Sequence, residues 1–177
     1  MKEQIKQTRV RIDGLSQLVR NLKPFKYNVN SKDLGSLNSD EVLNCINHLL
    51  LAKAWLGKML GELGEATPYA NDGKRKSVED IEAAADRFKV PQLIQVGNNK
   101  SFNDLVHVEK VDWLRQEIKN LVEYVQSDFH GSVFNHTSQK PTREFAIART
   151  NAYTHLCEAR FHLGFELQRI KEGGIIT

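Results

Sequence analysis

Apolar residues recur along this chain in steps of three and four, the spacing that lines one face of an α-helix. Ile12, Leu15, Val19 and Leu22 form the first such seam and predict a helix over 3–22, ended by Pro24. Phe25 to Leu37 is rich in Asn, Ser, Lys and Gly and reads as a loop. Asn38 or Ser39 then caps a long helix, with Glu41 placed to complete a capping box. Its seam is Val42, Cys45, Leu49, Ala52, Leu56, Met59 and Leu63, widened by Ile46, Leu50 and Leu60, and Gly64 stops it. So broad an apolar face implies contact with more than one partner helix.

The pattern breaks after Gly64. Glu65 to Lys76 is turn-forming and basic, Ser77 caps a short helix from Val78 to Phe88, and Pro91 to Val96 reads as extended. Ser101 begins a third long helix, to Ser127, with seam Val111, Leu114, Ile118, Leu121 or Val122, and Val125. Asp128 to Pro141 reads as a loop. Thr142 begins the last helix, with seam Phe145, Ala152, Leu156, Ala159, Leu163 and Ile170, ended by Gly173 and Gly174.

The second and fourth helices repeat each other. The run from Ala52 to Leu63 reappears from Ala159 to Ile170 at an offset of 107, with Ala, Lys/Arg, an aromatic and Leu-Gly in similar places. Continued backwards, the alignment pairs Leu49 with Leu156, His48 with His155, and Cys45 with Ala152. The first and third helices align at an offset of 103, matching Leu15, Leu18, Val19 and Leu22 to Ile118, Leu121, Val122 and Val125. Any two apolar seams can be aligned in this way, but Gly57 and Gly164 carry more weight. A glycine inside a helix costs about 1 kcal/mol relative to alanine, so its recurrence points to close approach of a second backbone or a ligand. The expectation is an all-α protein. Two tandem long-helix hairpins, 1–64 and 104–177, pack as a bundle and are joined by an irregular basic insert, 65–103.

Composition narrows the classes. The 177 residues are 40% hydrophobic and 27% charged, with a formal net charge of +3, long enough for one compact domain or two small units and too balanced for a dedicated binder of long nucleic acid. No apolar run reaches the ~20 residues that span a bilayer, and Met1 to Ile5 lacks the apolar core of a signal peptide. The two cysteines, Cys45 and Cys157, have no CxxC neighbour and read as reduced, partly buried side chains of a cytoplasmic protein.

The string from Ala52 to Gly64, followed by Thr67-Pro68-Tyr69, resembles small phage proteins of the helical-hairpin sponge family. Ala148 to Asn151 and Glu158 to Gly164 resemble the same pattern. Members of that family are anti-CBASS and anti-Thoeris proteins, which bind cyclic oligonucleotides or cyclic ADP-ribose signals and sequester them intact. The resemblance implies a non-catalytic, homo-oligomeric binder acting in the host bacterial cytoplasm, without cofactor. Family members carry one hairpin per chain, so two in one chain is a departure that unsettles stoichiometry and pocket positions.

Sequestration needs cations for phosphates, flat side chains for bases and amides for base edges. The insert offers Tyr69 for stacking, Asn71 for hydrogen bonding, and Lys74, Arg75 and Lys76 for phosphate. The second repeat adds Arg149, Thr150 and Asn151 on one helical turn, and Arg160. Against this, Lys74 to Lys76 also suits a solvated turn, and Trp55 and Phe161 suit core packing. Arg149 occupies the seam register of Val42.

Two other functions compete. Glu79-x-x-Glu82 and Glu109-x-x-Asp112 resemble the acidic pattern with which all-α nucleotide pyrophosphohydrolases hold Mg²⁺. Glu79 lies at a helix N-terminus, where acids are expected anyway, and Pro91 interrupts the hairpin. A helical adaptor, binding only other helices, satisfies the seams alone. The histidine spacings show neither Glu-x-x-His nor His-x-x-x-His, so no metal site is expected. No catalytic residue is assigned.

Overall fold

The structure is a computed structural model that describes residues 1–22, 25–29, 32–37, 40–66, 68–69, 102–127 and 142–172, with residues 25–29 and 32–37 described by backbone alone. Among them are four long helices: α1 (Lys2–Arg20), α2 (Asp40–Glu62), α3 (His107–Ser127) and α4 (Arg143–Lys171). The fold is all-α in its core, as the seams require. Every expected seam residue of α3 and α4 is buried, and so are Val42, Cys45, Leu49, Ala52, Leu56 and Met59 of α2. Leu50 is not: it lies on the surface, and the wider face of α2 is made by Ile46 and Leu60.

The helices form two antiparallel hairpins. Asp13 meets Lys53 and Lys6 meets Glu65 across α1 and α2. Val125 shares a cleft with Arg149, while Arg115 lies against Gly164, across α3 and α4. The hairpins join through α2 and α4, which have the most extensive contact of any two helices. Here Glu41 lies against His162, His48 against His155 and Glu62 against Thr142. Each advance along α2 is thus matched by an equal or nearly equal retreat along α4.

That register turns the sequence repeat into geometry. His48 and His155 are equivalent positions of the two copies, and they touch. Equivalent residues of an antiparallel pair can meet only on a two-fold axis, so a pseudo-dyad passes between these two rings. Burial obeys it: Cys45 and Ala152, Leu49 and Leu156, Ala52 and Ala159, Leu56 and Leu163, and Leu60 and Leu167 are all buried. α1 also meets α3, where Arg11 forms an ion pair with Glu117. Both side chains are buried, and burial pushes the Glu117 carboxyl up against the opposing pull of the Arg11 guanidinium.

Helix ends follow local chemistry. Gly64 takes φ +76° after α2, while the Gly64 and Glu65 N–H groups reach the Gly61 and Leu60 carbonyls at 2.9 and 3.0 Å. This is the glycine-terminated helix end expected there. Thr142 caps α4 as expected, accepting from Phe145 N–H at 3.0 Å, and its hydroxyl also donates to Glu62 at 3.0 Å.

Three further expectations need correction. Residues 25–37 are not a loop: β1 (Phe25–Val29) and β2 (Lys32–Leu37) pair antiparallel as a hairpin, Val29 opposite Lys32. Phe25, Tyr27 and Val29 alternate with polar residues in the period of a strand, a signal outweighed in the sequence by surrounding Asn and Ser. The third helix begins at His107 rather than Ser101. A 3₁₀ turn, Phe102–Asp104, precedes it, with Phe102 packed on Trp113 at 5.1 Å. Glu109 then accepts from Val106 N–H at 3.0 Å, which fixes the start of α3. Phe161 is not core; 67% of it is exposed. The caps at Asn38 or Ser39, the helix 78–88, the extended segment 91–96, the loop 128–141 and the glycines 173–174 lie outside the described residues.

Candidate functional site

Two faces of α4 carry its chemistry, and helix geometry separates them. At 100° per residue, Arg149, Tyr153 and Arg160 fall on one stripe, shared with α3. Asn151, His155, Glu158 and His162 fall on another, shared with α2.

On the α3 side, Arg149, Thr150, Tyr153, Val125 and Gln126 line a cleft of about 220 Å³. It brings together two of the expected ligand residues, a cation and a hydroxyl, with the flat ring of Tyr153. The Thr150 hydroxyl donates to Ala146 O at 3.0 Å and keeps its lone pairs for an incoming donor. Tyr153 hydrogen-bonds with the Cys157 thiol one turn along, which raises its phenol above the ordinary range. Further along the stripe, the Nε atoms of Arg160 and of Arg115 on α3 are buried and meet no acceptor among the described residues.

The first half handles the equivalent positions differently. Lys53, the counterpart of Arg160, is paired with Asp13 at 3.0 Å, and both are buried. Gln116, the counterpart of Asp13, brings no charge to the second half. Around Gly57 the space is filled from within. The Tyr69 ring lies so close that a Cβ on Gly57 would collide with its Cε1. The Tyr69 hydroxyl points to Ala54 O at 3.4 Å, and the Arg9 guanidinium lies 5.3 Å from the ring centre. Arg9 is held in turn by Lys53 O at 3.2 Å and by Pro68 O. Tyr69 is therefore engaged with α2 and stands apart from the α4 cleft, although about half of its surface stays exposed. At Gly164 the nearest atom to an added Cβ is Arg115 Nε, at 3.4 Å.

On the α2 side, three histidines and two glutamates converge at the pseudo-dyad. His48 Nδ1 and His155 Nδ1 are 3.1 Å apart and lie 2.8 and 3.0 Å from one Glu158 oxygen. The His162 ring stacks on His48 with centres 5.3 Å apart, and its Nδ1 sits 2.6 Å from Glu41. Desolvation lowers the pKa of His48, with neighbouring His155 and His162 in the same sense and Glu158 opposing.

Spacing along one helix could not reveal this cluster, because its ligand-bearing groups come from two helices. The signal was the alignment of His48 with His155 together with the His155-x-x-Glu158 pair. Asn71, Lys74, Arg75 and Lys76, and the acids Glu79 and Glu82, lie outside the described residues. Glu109 acts as a helix cap. Burial pushes the Cys45 thiol well above its ordinary range, so no nucleophile is prepared there. Trp55 is partly buried on the core, with the Lys58 ammonium 5.2 Å from its ring centre. None of the described helices is long and apolar enough to cross a membrane.

Comparison with known protein families, with curated proteins and with solved structures returns no match for this chain.

Proposed function

We propose that this protein is a non-catalytic binder of small phosphate-bearing nucleotide signals, cyclic oligonucleotides or cyclic ADP-ribose-type molecules, held intact along the α3–α4 groove. The observation that carries this reading is the cationic stripe of α4. Arg149, Tyr153 and Arg160 share one face, and the Arg160 and Arg115 Nε–H groups are buried without an acceptor among the described residues. A buried donor left unpaired costs about 1–3 kcal/mol, and a phosphate oxygen in the groove would recover it. Arg149 and Arg160 are 11 residues apart, or ~16 Å along the axis, so the two cations stand at separate points of the groove. The 220 Å³ cleft is smaller than the ~300–1,000 Å³ of a complete ligand pocket and suits one base or ribose of such a molecule.

The mechanism is mass action: tight binding lowers the free signal below the threshold of the effector that reads it. The resemblance to phage sponge proteins supports the same reading and adds homo-oligomeric assembly in a bacterial host cytoplasm. The test is calorimetric titration with cyclic di- and trinucleotides and cyclic ADP-ribose isomers, followed by release of the ligand and a check of its mass. Tight binding with unaltered ligand recovered, weakened at least tenfold by Arg160→Ala, is the expected result. Altered ligand would return the acidic pairs and an enzyme to consideration; no heat with any of them would favour the helical adaptor.

A further inference from the structure

The geometry points to a second, separate site: we propose that His48, His155 and Glu158 bind one first-row divalent transition-metal ion per chain on the pseudo-dyad between α2 and α4. Three Lewis-basic atoms, two imidazole Nδ1 and one carboxylate oxygen, lie within 2.8, 3.0 and 3.1 Å of one another. With Glu158 as a carboxylate, protons alone cannot reconcile them. A neutral ring nitrogen offers either one N–H or one lone pair. Whichever tautomers are chosen, at least one of the three contacts sets two lone pairs or two N–H groups face to face. A single cation at the centre satisfies all three.

The donor spacing also selects the coordination. With metal–ligand distances of about 2.0–2.1 Å, neighbouring donors stand about 2.9 Å apart around an octahedral ion and about 3.3–3.4 Å apart around a tetrahedral one. The observed triangle matches one octahedral face and leaves the outward positions to water. Imidazole nitrogen with one carboxylate suits Zn²⁺, Fe²⁺, Co²⁺ or Ni²⁺, whereas Mg²⁺ and Ca²⁺ prefer oxygen throughout. The three groups are only partly buried, so an ion can enter. His162, stacked on His48 and tied to Glu41, limits rotation of the His48 ring. The dyad sets the stoichiometry. A site on the axis is single, and Leu51, the counterpart of Glu158, leaves it with one carboxylate instead of two.

The test uses the full chain, stripped with a chelator and titrated with Zn²⁺, with Co²⁺ as an optical probe. One Zn²⁺ per chain is expected, with d–d absorption of low intensity in the Co²⁺ form. His155→Ala and Glu158→Gln should each weaken uptake at least tenfold. Glu158 is exposed enough that Glu158→Gln keeps the fold, which circular dichroism would check. Leu51→Glu, which restores the missing carboxylate across the axis, should tighten binding. Uptake unaffected by the His155 and Glu158 substitutions, for instance abolished instead by His130→Ala with His136→Ala, would overturn the proposal. So would a folded protein that takes up no Zn²⁺ at 100-fold excess.

Discussion

The two halves of this molecule bury the same positions and spend their polar residues differently. In the first half, Lys53 is neutralised by Asp13, and Gly57 is covered by Tyr69 under Arg9. In the second, among the described residues, Arg160 and Arg115 keep buried Nε–H groups without an acceptor, and Gly164 faces only Arg115. One hairpin has closed its cationic register with its own side chains, while its twin holds that register open. Apolar packing can be duplicated without harm, whereas a charge arrangement is free to diverge wherever it does not hold the fold together.

The largest test of that contrast is to remove the equivalent cations. Lys53→Met strands Asp13 in the interior and should cost about 3–5 kcal/mol in chemical denaturation. Arg160→Met strands no carboxylate and should leave stability nearly unchanged while reducing ligand affinity. Equal losses at the two positions would erase the distinction.

Arg11→Met attacks the ion pair that ties the halves together and should also cost about 3–5 kcal/mol near neutral pH. Its pH dependence has a definite sign. Burial already raises the Glu117 pKa, and loss of the Arg11 guanidinium raises it further. A carboxyl with a raised folded pKa supports the fold while protonated and loses that support as pH climbs through the raised value. The variant should therefore be least impaired in mild acid and progressively weaker towards neutral pH, followed by thermal melts across that window.

Leu56→Ala and Leu163→Ala, at equivalent and fully buried sites, should each cost about 2–5 kcal/mol and by similar amounts. Unequal losses would mean that the pseudo-symmetry does not extend to packing. The smallest effect lies in the glycines. Gly164→Ala should stabilise by up to about 1 kcal/mol, since the new Cβ meets only a flexible guanidinium at ordinary contact distance. Gly57→Ala should forfeit that gain by expelling the Tyr69 ring, visible as a change in tyrosine fluorescence.

The helices, their seams and the tandem hairpins were legible because a 3.6-residue period survives whatever surrounds it. The recurrence of Gly57 and Gly164 was also legible, but its expected cause, close approach of a second backbone or a ligand, is not what the described residues show: the Tyr69 side chain crowds Gly57, and Arg115 lies at ordinary contact distance from Gly164. The strands at 25–37 were hidden by the Asn and Ser residues between them. On the candidate sites, Arg149 and Thr150 emerged from side-chain chemistry, and the structure adds Tyr153 beside them. The His48, His155 and Glu158 triangle was split across two helices 107 residues apart, and only the fold brings its members within 3.1 Å.

The pseudo-dyad has one more consequence. In a dimer of identical chains every substitution is made twice, so an acid beside the axis always faces a second acid. Joining both halves in one chain lifts that obligation. Their encounter becomes intramolecular, at an effective concentration of about millimolar set by the tether rather than by expression level. Each half can then mutate alone, and so a glutamate now stands across the axis from a leucine.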